Sequence, residues 1–168
     1  MPRPYVMWPD PRLKAMARPI AAVDDDVRTI WDEMLEAVYA MPGIGLAAPQ
    51  LGIDLRLAVV DCSTDKSAVR LANPEIVETG PETQIVTEGS PNLPGLFVEI
   101  ERPSRVRVAY LDETGAQVDR VFEEMWATSI QHQIDHLDGK IFIDRLSPMR
   151  RRRALERHRK AQNKKRRA

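Results

Sequence analysis

The segment 124–137 constrains the fold more than any other part of the chain. Its apolar residues recur at helical spacing, and His132 and His136 stand one turn apart beside this apolar stripe. A helix with a single apolar stripe must bury it against other elements, and the Asp138-Gly139 pair that follows is typical of a helix end. We therefore predict a helix that packs into the core and carries a pair of imidazoles.

Length and composition favour one compact domain. The chain has 168 residues, of which 43% are hydrophobic and 30% are charged, so it holds enough apolar material for a core. Its one cysteine, Cys62, cannot form an intramolecular disulfide, and we expect an inert thiol there. The N-terminal residues lack the apolar run of a signal peptide, and no stretch of about 18 apolar residues occurs. These features predict a cytoplasmic location without a membrane partner.

Charge is divided along the sequence although the formal net charge is zero. Residues 149–168 hold 11 of the 25 Lys and Arg residues and one acidic residue, Glu156. A block of like charge at one end is typical of an arm that binds nucleic acid or another anion, and the alternative is a solvated, disordered end. We predict a domain over 1–148 and a basic tail over 149–168, in which good helix formers favour a helix.

The other segments predict an α+β domain with antiparallel sheets. A first helix is expected over 27–38, because apolar residues recur there at three- and four-residue steps and Pro42 ends the pattern. Asn73-Pro74 and Gly80-Pro81 are expected to separate short strands, and the turn at 112–115 (DETG) indicates a hairpin. Extended runs predict further strands at 55–61, 105–111, 117–122 and 140–144.

The pentapeptide from His132 to His136 suggests a metal site. Two imidazoles at i and i+4 lie on one face of a helix and can bind one divalent ion. In hydrolytic sites of this kind a glutamate follows the first histidine and accepts a proton from water. Here that residue is Gln133, whose amide cannot accept a proton at neutral pH. Taken alone, the pentapeptide is also consistent with an ordinary polar helix face.

Three segments together resemble, in order and spacing, the three motifs of the peptide deformylase family. They are 43–50 (GIGLAAPQ), 88–95 (EGSPNLPG) and 131–139 (QHQIDHLDG), and the resemblance extends from about residue 7 to residue 148. It implies antiparallel sheets around a central helix that carries both histidines, followed by a C-terminal helix. It also implies a hydrolase that removes the formyl group from the N-terminal formyl-methionine of new bacterial chains.

The resemblance further implies a metal centre with one altered ligand. The family holds a divalent metal, usually iron, through two histidines and a cysteine, and the matching residues here are His132, His136 and Ser90. Zinc or nickel are further candidates. A serine hydroxyl stays protonated near neutral pH and binds a divalent metal only weakly, so we expect poor metal retention. The family's general base is the glutamate that Gln133 replaces.

The resemblance also implies that one of the two hydrogen-bond donors that stabilise the oxyanion is missing. In the family the first-motif glutamine and the backbone N–H after the cysteine hold the developing oxyanion. Gln50 matches the glutamine, but Pro91 stands at the second position and has no N–H. Loss of one such donor typically lowers the rate by about 10²- to 10³-fold.

The peptide-binding side of the family pattern is retained. Gly45 lets a peptide backbone approach closely, Leu93 keeps the end of the second motif, and Arg102 matches a family arginine near the incoming peptide. For Arg102 the alternative is a solvated charge on a strand. The implied partners are nascent formylated peptides and, because family members dock on the ribosome through a C-terminal helix, ribosomal RNA at 149–168.

Two functions of different class follow. The first is a deformylase-like protein that has lost most or all catalysis, a pseudoenzyme that binds nascent chains or ribosomes. The alternative is a working metallohydrolase in which Ser90 or solvent is the third ligand and Gln133 positions the attacking water. Three departures in one reaction centre, at Ser90, Pro91 and Gln133, favour the first.

Overall fold

The computed structural model describes residues 2–168, which form three α-helices and seven β-strands. The helices are α1 (Asp25–Ala40), α2 (Glu124–Leu137) and α3 (Pro148–Arg167). The strands are β1 (Gly45–Ala47), β2 (Leu57–Val60), β3 (Val69–Thr79), β4 (Thr83–Glu88), β5 (Val98–Pro103), β6 (Arg105–Leu111) and β7 (Gln117–Glu123). Short 3₁₀ turns lie at Pro11–Lys14, Ala48–Leu51 and Phe142–Arg145.

The strands form two antiparallel sheets. The larger has the order β1-β2-β3-β6-β7, and β4 pairs with β5 in the smaller. The predicted hairpin turn is confirmed: Gly115 adopts a φ of +83° and its N–H donates to the carbonyl of Asp112. Asn73-Pro74 does not separate two strands but lies inside β3, where the register against β6 shifts between Ala72 and Glu75. A bulge of this kind accommodates a proline that cannot donate to the ladder.

Helix α2 is the buried centre of the fold. Every residue from 127 to 137 is buried, and the helix contacts strands of both sheets. It ends where the sequence predicts, because Asp138 caps it and Gly139 follows with a φ of +75°. The predicted α+β class with a central helix is therefore confirmed.

Strands β1 and β2 lie between α1 and α2. Successive residues of β2 point to opposite faces, so Ala58 and Val60 pack in the cluster that contains α2, whereas Leu57 and Val59 pack with α1. The first turn of α1 is capped by the Asp24 carboxylate, which accepts from the N–H of Val27 at 2.9 Å. This arrangement fixes the loop before β1 against the middle of α2.

The segment 140–144 is not the strand that the sequence predicts. Ile141, Phe142 and Ile143 are all buried, and Phe142–Arg145 forms a 3₁₀ turn. A short apolar run that is buried on every side does not alternate, so its periodicity cannot separate a strand from a turn.

The basic tail is a helix, and its first turns belong to the domain. Helix α3 begins at Pro148, with Ser147 as its cap. Ala154 is 1% exposed and packs in one cluster with Leu96 and Phe142, so the tail is not structurally separate. Within residues 2–168 no helix has both the length and the apolar character needed to cross a bilayer.

Candidate active site

A pocket of about 240 Å³ opens beside the first histidine of α2. Its wall combines the glycine loop before β1, the end of β4 and the N-terminal half of α2. The lining residues are Met41, Gly43, Ile44, Gly45, Gln50, Val86, Thr87, Glu88, Gly89, Pro91, Met125, Thr128, Ser129, His132 and Gln133. Four predicted site residues, Gly45, Gln50, His132 and Gln133, are thus brought together in one pocket.

The two histidines present an imidazole pair with ring centroids 5.0 Å apart. Nδ1 of His132 lies 2.8 Å from Oε1 of Glu88, which leaves its Nε2 for another partner. Nε2 of His136 is buried and has no hydrogen-bond partner among the described residues. Burial and the neighbouring His132 hold the pKa of His136 well below its ordinary value, so this imidazole is neutral, the form that binds metals.

A divalent metal fits this site only in part. The free nitrogen of His136 and the orientation of His132 suit an ion, but the Ser90 hydroxyl is bonded to the side chains of Gln50 and Asn92. Within residues 2–168 no three side chains from His, Cys, Asp and Glu come together to hold an ion. The pair can therefore supply two ligands, while the third position lacks an anionic donor.

A buried ionic cluster lies behind the histidines. Arg102 donates to Glu88 at 2.6 and 2.9 Å and to Asp135 at 2.8 Å, and Arg145 donates to Asp135 at 2.6 and 2.9 Å. Burial by itself raises the pKa of Glu88, but hydrogen bonds from His132 and Arg102 outweigh burial and lower it. The pKa of Asp135 is lowered in the same way, against burial, by Arg145 and Arg102. Two carboxylates and two guanidinium groups thus neutralise each other.

Arg102 and Leu93 lie outside the pocket lining. Arg102 is 1% exposed and contacts Glu88 and Asp135, so the alternative of a solvated charge is wrong, while its contact with a peptide stays a prediction. Leu93 is fully buried in a hydrophobic cluster and does not line the pocket. The sequence of β5 does indicate that Arg102 is buried, because Val98, Ile100 and Arg102 alternate with exposed residues and share the buried face of the strand.

Gln133 stands where the pocket meets the glycine loop. Its Oε1 atom is buried and has no partner among the described residues. A Cβ on Gly45 would lie 2.7 Å from Nε2 of Gln133 and 2.6 Å from Oγ of Ser129, closer than side-chain atoms approach. A side chain at position 45 would therefore require the Gln133 amide and the Ser129 hydroxyl to shift, and glycine lets the loop pass without that change.

Several functional neighbours carry no role in the sequence-based interpretation. Glu88 begins the second motif, Asp135 lies between the two histidines, and Asn92 and Arg145 hold site residues in place. Their charge or amide chemistry was visible in the sequence, but their partners come from other elements. Cys62 is half-buried against the larger core, as expected, and burial together with Asp61 raises its pKa to about 11.

Comparison with known proteins gives consistent matches over nearly the whole chain. The family model described as polypeptide deformylase matches residues 2–152. The peptide deformylase of Hyphomonas neptunium is 46% identical over 163 residues, covering 95% of this chain and 93% of the relative. That of Methylocella silvestris is 43% identical over 165 residues, covering 95% and 84%.

Solved structures agree in fold. The crystal structure of a peptide deformylase from Legionella pneumophila matches with a TM-score of 0.89 and 35% identity, covering 99% of this chain and 98% of that one. A peptide deformylase from Ehrlichia chaffeensis in complex with actinonin matches with a TM-score of 0.86 and 34% identity, covering 94% and 95%.

Proposed function

Because this chain belongs to the polypeptide deformylase family, we propose that it is a catalytically impaired member that binds formyl-methionyl chain ends without efficient hydrolysis. The family generally uses a divalent metal and acts on nascent formylated peptides. The proposal concerns what this chain's own residues can still do with both.

The state of the pocket carboxylate carries the proposal. Among the described lining residues Glu88 is the carboxylate, and both of its oxygens are already engaged: Oε1 by His132 and Arg102, and Oε2 by Arg102. Gln133 replaces the family's base with an amide. No lining carboxylate is then free to take a proton from water, and the free Nε2 of His132 is the atom that a metal would occupy. Loss of a general base typically lowers the rate by about 10²- to 10⁴-fold.

Of the three metal ligands in the family pattern, this chain retains the two imidazoles. His132 and His136 would hold the ion, iron by family resemblance or zinc or nickel in its place. A bound divalent ion would polarise the substrate carbonyl and acidify a water. Ser90 offers a neutral oxygen instead of a thiolate, so we expect weak binding and low occupancy.

The peptide side supports binding. The pocket is lined by apolar Met41, Ile44 and Met125, which suit a methionine side chain, and the glycine loop leaves room for a backbone. Strand β4 pairs with β5 on one side, and within the described strands its other edge has no partner. An extended chain end could add to that edge by main-chain hydrogen bonds.

We further propose that the basic tail places this protein on ribosomes in the cytoplasm. Helix α3 carries the net charge of the tail on exposed arginines and lysines. A groove of about 770 Å³ runs between α3 and Trp8-Pro9 and is lined by Arg151, Arg159 and other basic residues. Neutralising RNA phosphates releases counterions, which gives a salt-sensitive affinity.

The deciding experiment measures metal content and turnover together. The chain, purified in reducing buffer and supplied in turn with Fe²⁺, Ni²⁺ and Zn²⁺, is assayed for bound metal and for formate release from formyl-Met-Ala-Ser. We expect less than one metal per chain and turnover well below the usual range of about 1 to 10³ s⁻¹. The Hyphomonas neptunium peptide deformylase, prepared in parallel, is the matched control. One tightly held metal per chain with turnover in that range would instead establish the alternative, an active hydrolase with an altered metal site.

A further inference from the structure

Three buried polar side chains at the reaction centre form hydrogen bonds with one another. Gln50 is 1% exposed, Ser90 9% and Asn92 0%. Nε2 of Gln50 donates to Oδ1 of Asn92 at 2.7 Å and to Oγ of Ser90 at 3.2 Å. Oγ of Ser90 in turn donates to Oδ1 of Asn92 at 2.8 Å. We call these residues the amide cluster.

The amide cluster engages one side of the Gln50 amide nitrogen. Its two acceptors, Oδ1 of Asn92 and Oγ of Ser90, are themselves only 2.8 Å apart, so both lie on the same side of Nε2, whereas the two N–H bonds of a primary amide point well apart. Oε1 of Gln50 accepts from the backbone N–H of Ala47 at 2.8 Å, which fixes the orientation of the amide. The N–H of Gln50 that faces the cluster is therefore not available to the oxygen of a ligand while the cluster is intact.

The Ser90 hydroxyl is saturated as well. Its proton goes to Asn92, and its oxygen accepts from Nε2 of Gln50 and, at 3.4 Å, from the backbone N–H of Asn92. A hydroxyl has one donor and two lone pairs, so all three are engaged. A metal on the imidazole pair could gain this oxygen only by displacing one of these bonds.

Asn92 cannot turn away from the cluster, because it is held on its other side. Its Nδ2 donates to the carbonyl of Val6 and, at 3.4 Å, to that of Gln50. Its own carbonyl accepts from the N–H of Trp8 at 2.9 Å, and the N–H of Val6 donates to the Gln50 carbonyl at 2.9 Å. The N-terminal segment thus fixes the Asn92 acceptor in front of Gln50 and Ser90.

We propose that Asn92 is a positioning residue that holds the Gln50 amide and the Ser90 hydroxyl to each other, and so withholds this hydroxyl and the cluster-facing N–H of Gln50 from the occupant of the pocket. This inference deepens the proposed function on which it rests. Gln50 is retained from the family pattern, yet it serves the protein's own structure.

The test follows the side-chain amide of Gln50 by NMR, so it needs neither metal nor turnover. In the unmodified chain we expect the cluster-facing proton to be protected from exchange and unshifted when N-formylmethionyl-alanine is added. In Asn92→Ser the shorter side chain releases this N–H, and we expect its exchange to become about tenfold faster. The peptide should then shift the signal of this proton.

The control is Asn73→Ser, which removes another side-chain amide that is bonded to the backbone. Oδ1 of Asn73 accepts from the N–H of Ile20 at 2.9 Å, and its Nδ2 donates to the carbonyl of Ile20 at 2.9 Å. It should destabilise the chain without changing exchange at Gln50. Rapid exchange of the cluster-facing proton of Gln50 in the unmodified chain, a peptide-induced shift of that proton, or equal exchange in Asn92→Ser would overturn the proposal. If Asn92→Ser does not fold, the measurement on the unmodified chain still decides. Efficient turnover would refute the proposed function, whereas the amide exchange tests the cluster separately.

Discussion

Nδ1 of His132 lies 2.8 Å from Oε1 of Glu88, and this contact orients the imidazole toward the position of a ligand. A carboxylate that accepts from one ring nitrogen leaves the other with its lone pair outward, as in many metal sites. The support for the first histidine is therefore present, although the thiol and the general base of the family pattern are not. That asymmetry makes the site suitable for repair by substitution.

The first prediction concerns the triple substitution Ser90→Cys, Pro91→Leu and Gln133→Glu. It supplies a thiolate, a backbone N–H and a proton acceptor, so we expect one metal per chain and formate release at least about 10²-fold above the unmodified chain. Metal analysis and single-turnover assays measure both quantities. A folded triple variant that still fails to retain metal would show that the imidazole pair itself has lost its geometry.

The second prediction adds Asn92→Ser to that triple variant. Freeing Gln50 restores an oxyanion donor, which is typically worth about 10²- to 10³-fold in kcat. The gain should fall on kcat and leave KM nearly unchanged, because the interaction develops in the transition state. A change confined to KM would contradict the positioning role, and Asn73→Ser in the same background is the control.

The third prediction concerns the ionic cluster. Arg102→Met leaves Glu88 and Asp135 buried with fewer partners, and removal of one member of a buried pair costs about 3 to 5 kcal/mol. Urea unfolding should show this loss. Arg107→Met is the matched control, since Arg107 pairs with Glu78 and Asp119 on the exposed face of the sheet, where such pairs contribute up to about 1 kcal/mol. Equal losses would mean that the cluster is not a structural support of the site.

The fourth prediction is a pH profile for Cys62. Its pKa of about 11, raised by burial and by Asp61, means that the thiolate fraction increases with pH throughout the neutral and mildly alkaline range. Alkylation by iodoacetamide should therefore speed up about tenfold per unit from pH 7 to pH 10 without levelling. In the chain unfolded by guanidinium chloride the rate should level near the ordinary thiol pKa of about 8.5. Levelling below pH 9 in the folded chain would show an exposed, activated thiol.

The fifth prediction concerns the tail. The variant replaces four basic residues by Gln, namely Lys164, Lys165, Arg166 and Arg167, and it should bind ribosomal RNA more weakly. The negative slope of log K against log salt should become shallower by about 3 if all four residues meet phosphates. Fluorescence anisotropy over a salt series measures this. The control replaces four exposed arginines of the domain by Gln, namely Arg3, Arg18, Arg105 and Arg120. An unchanged slope in the tail variant would exclude the phosphate contacts.

Truncation after Pro148 is a poorer test of the tail. It would remove Ala154, which is buried, and the ion pair of 2.8 Å between Arg151 and Asp144. We expect such a chain to lose stability as well as charge, so a loss of RNA binding would have two explanations. The four-residue substitution avoids this because those positions are exposed.

Local patterns could be predicted well where one periodicity dominates. Helix α2 follows from its apolar stripe and the Asp138-Gly139 end, and the β6–β7 hairpin follows from alternation around 112–115. The segment 140–144 could not be predicted in this way, since three adjacent buried residues fit a strand and a turn equally.

The partners of charged and amide side chains were the part that the sequence could not supply. Arg102 meets Asp135 across 33 positions, and Gln50 meets Asn92 across 42, contacts that depend on how the two sheets pack around α2. A motif fixes which chemical groups are present. Whether Gln50 faces a ligand or another side chain depends on the angle at which separate segments meet.

The size of the pocket has a consequence for selectivity. At about 240 Å³ it is smaller than the range of about 300 to 1,000 Å³ that is usual for drug-sized ligands. Under the proposed function, a chain end would place its first residue in a pocket of this size and leave the following residues outside it, along the free edge of β4. A partner that is folded up to its first residue would then have to expose that residue before it could enter.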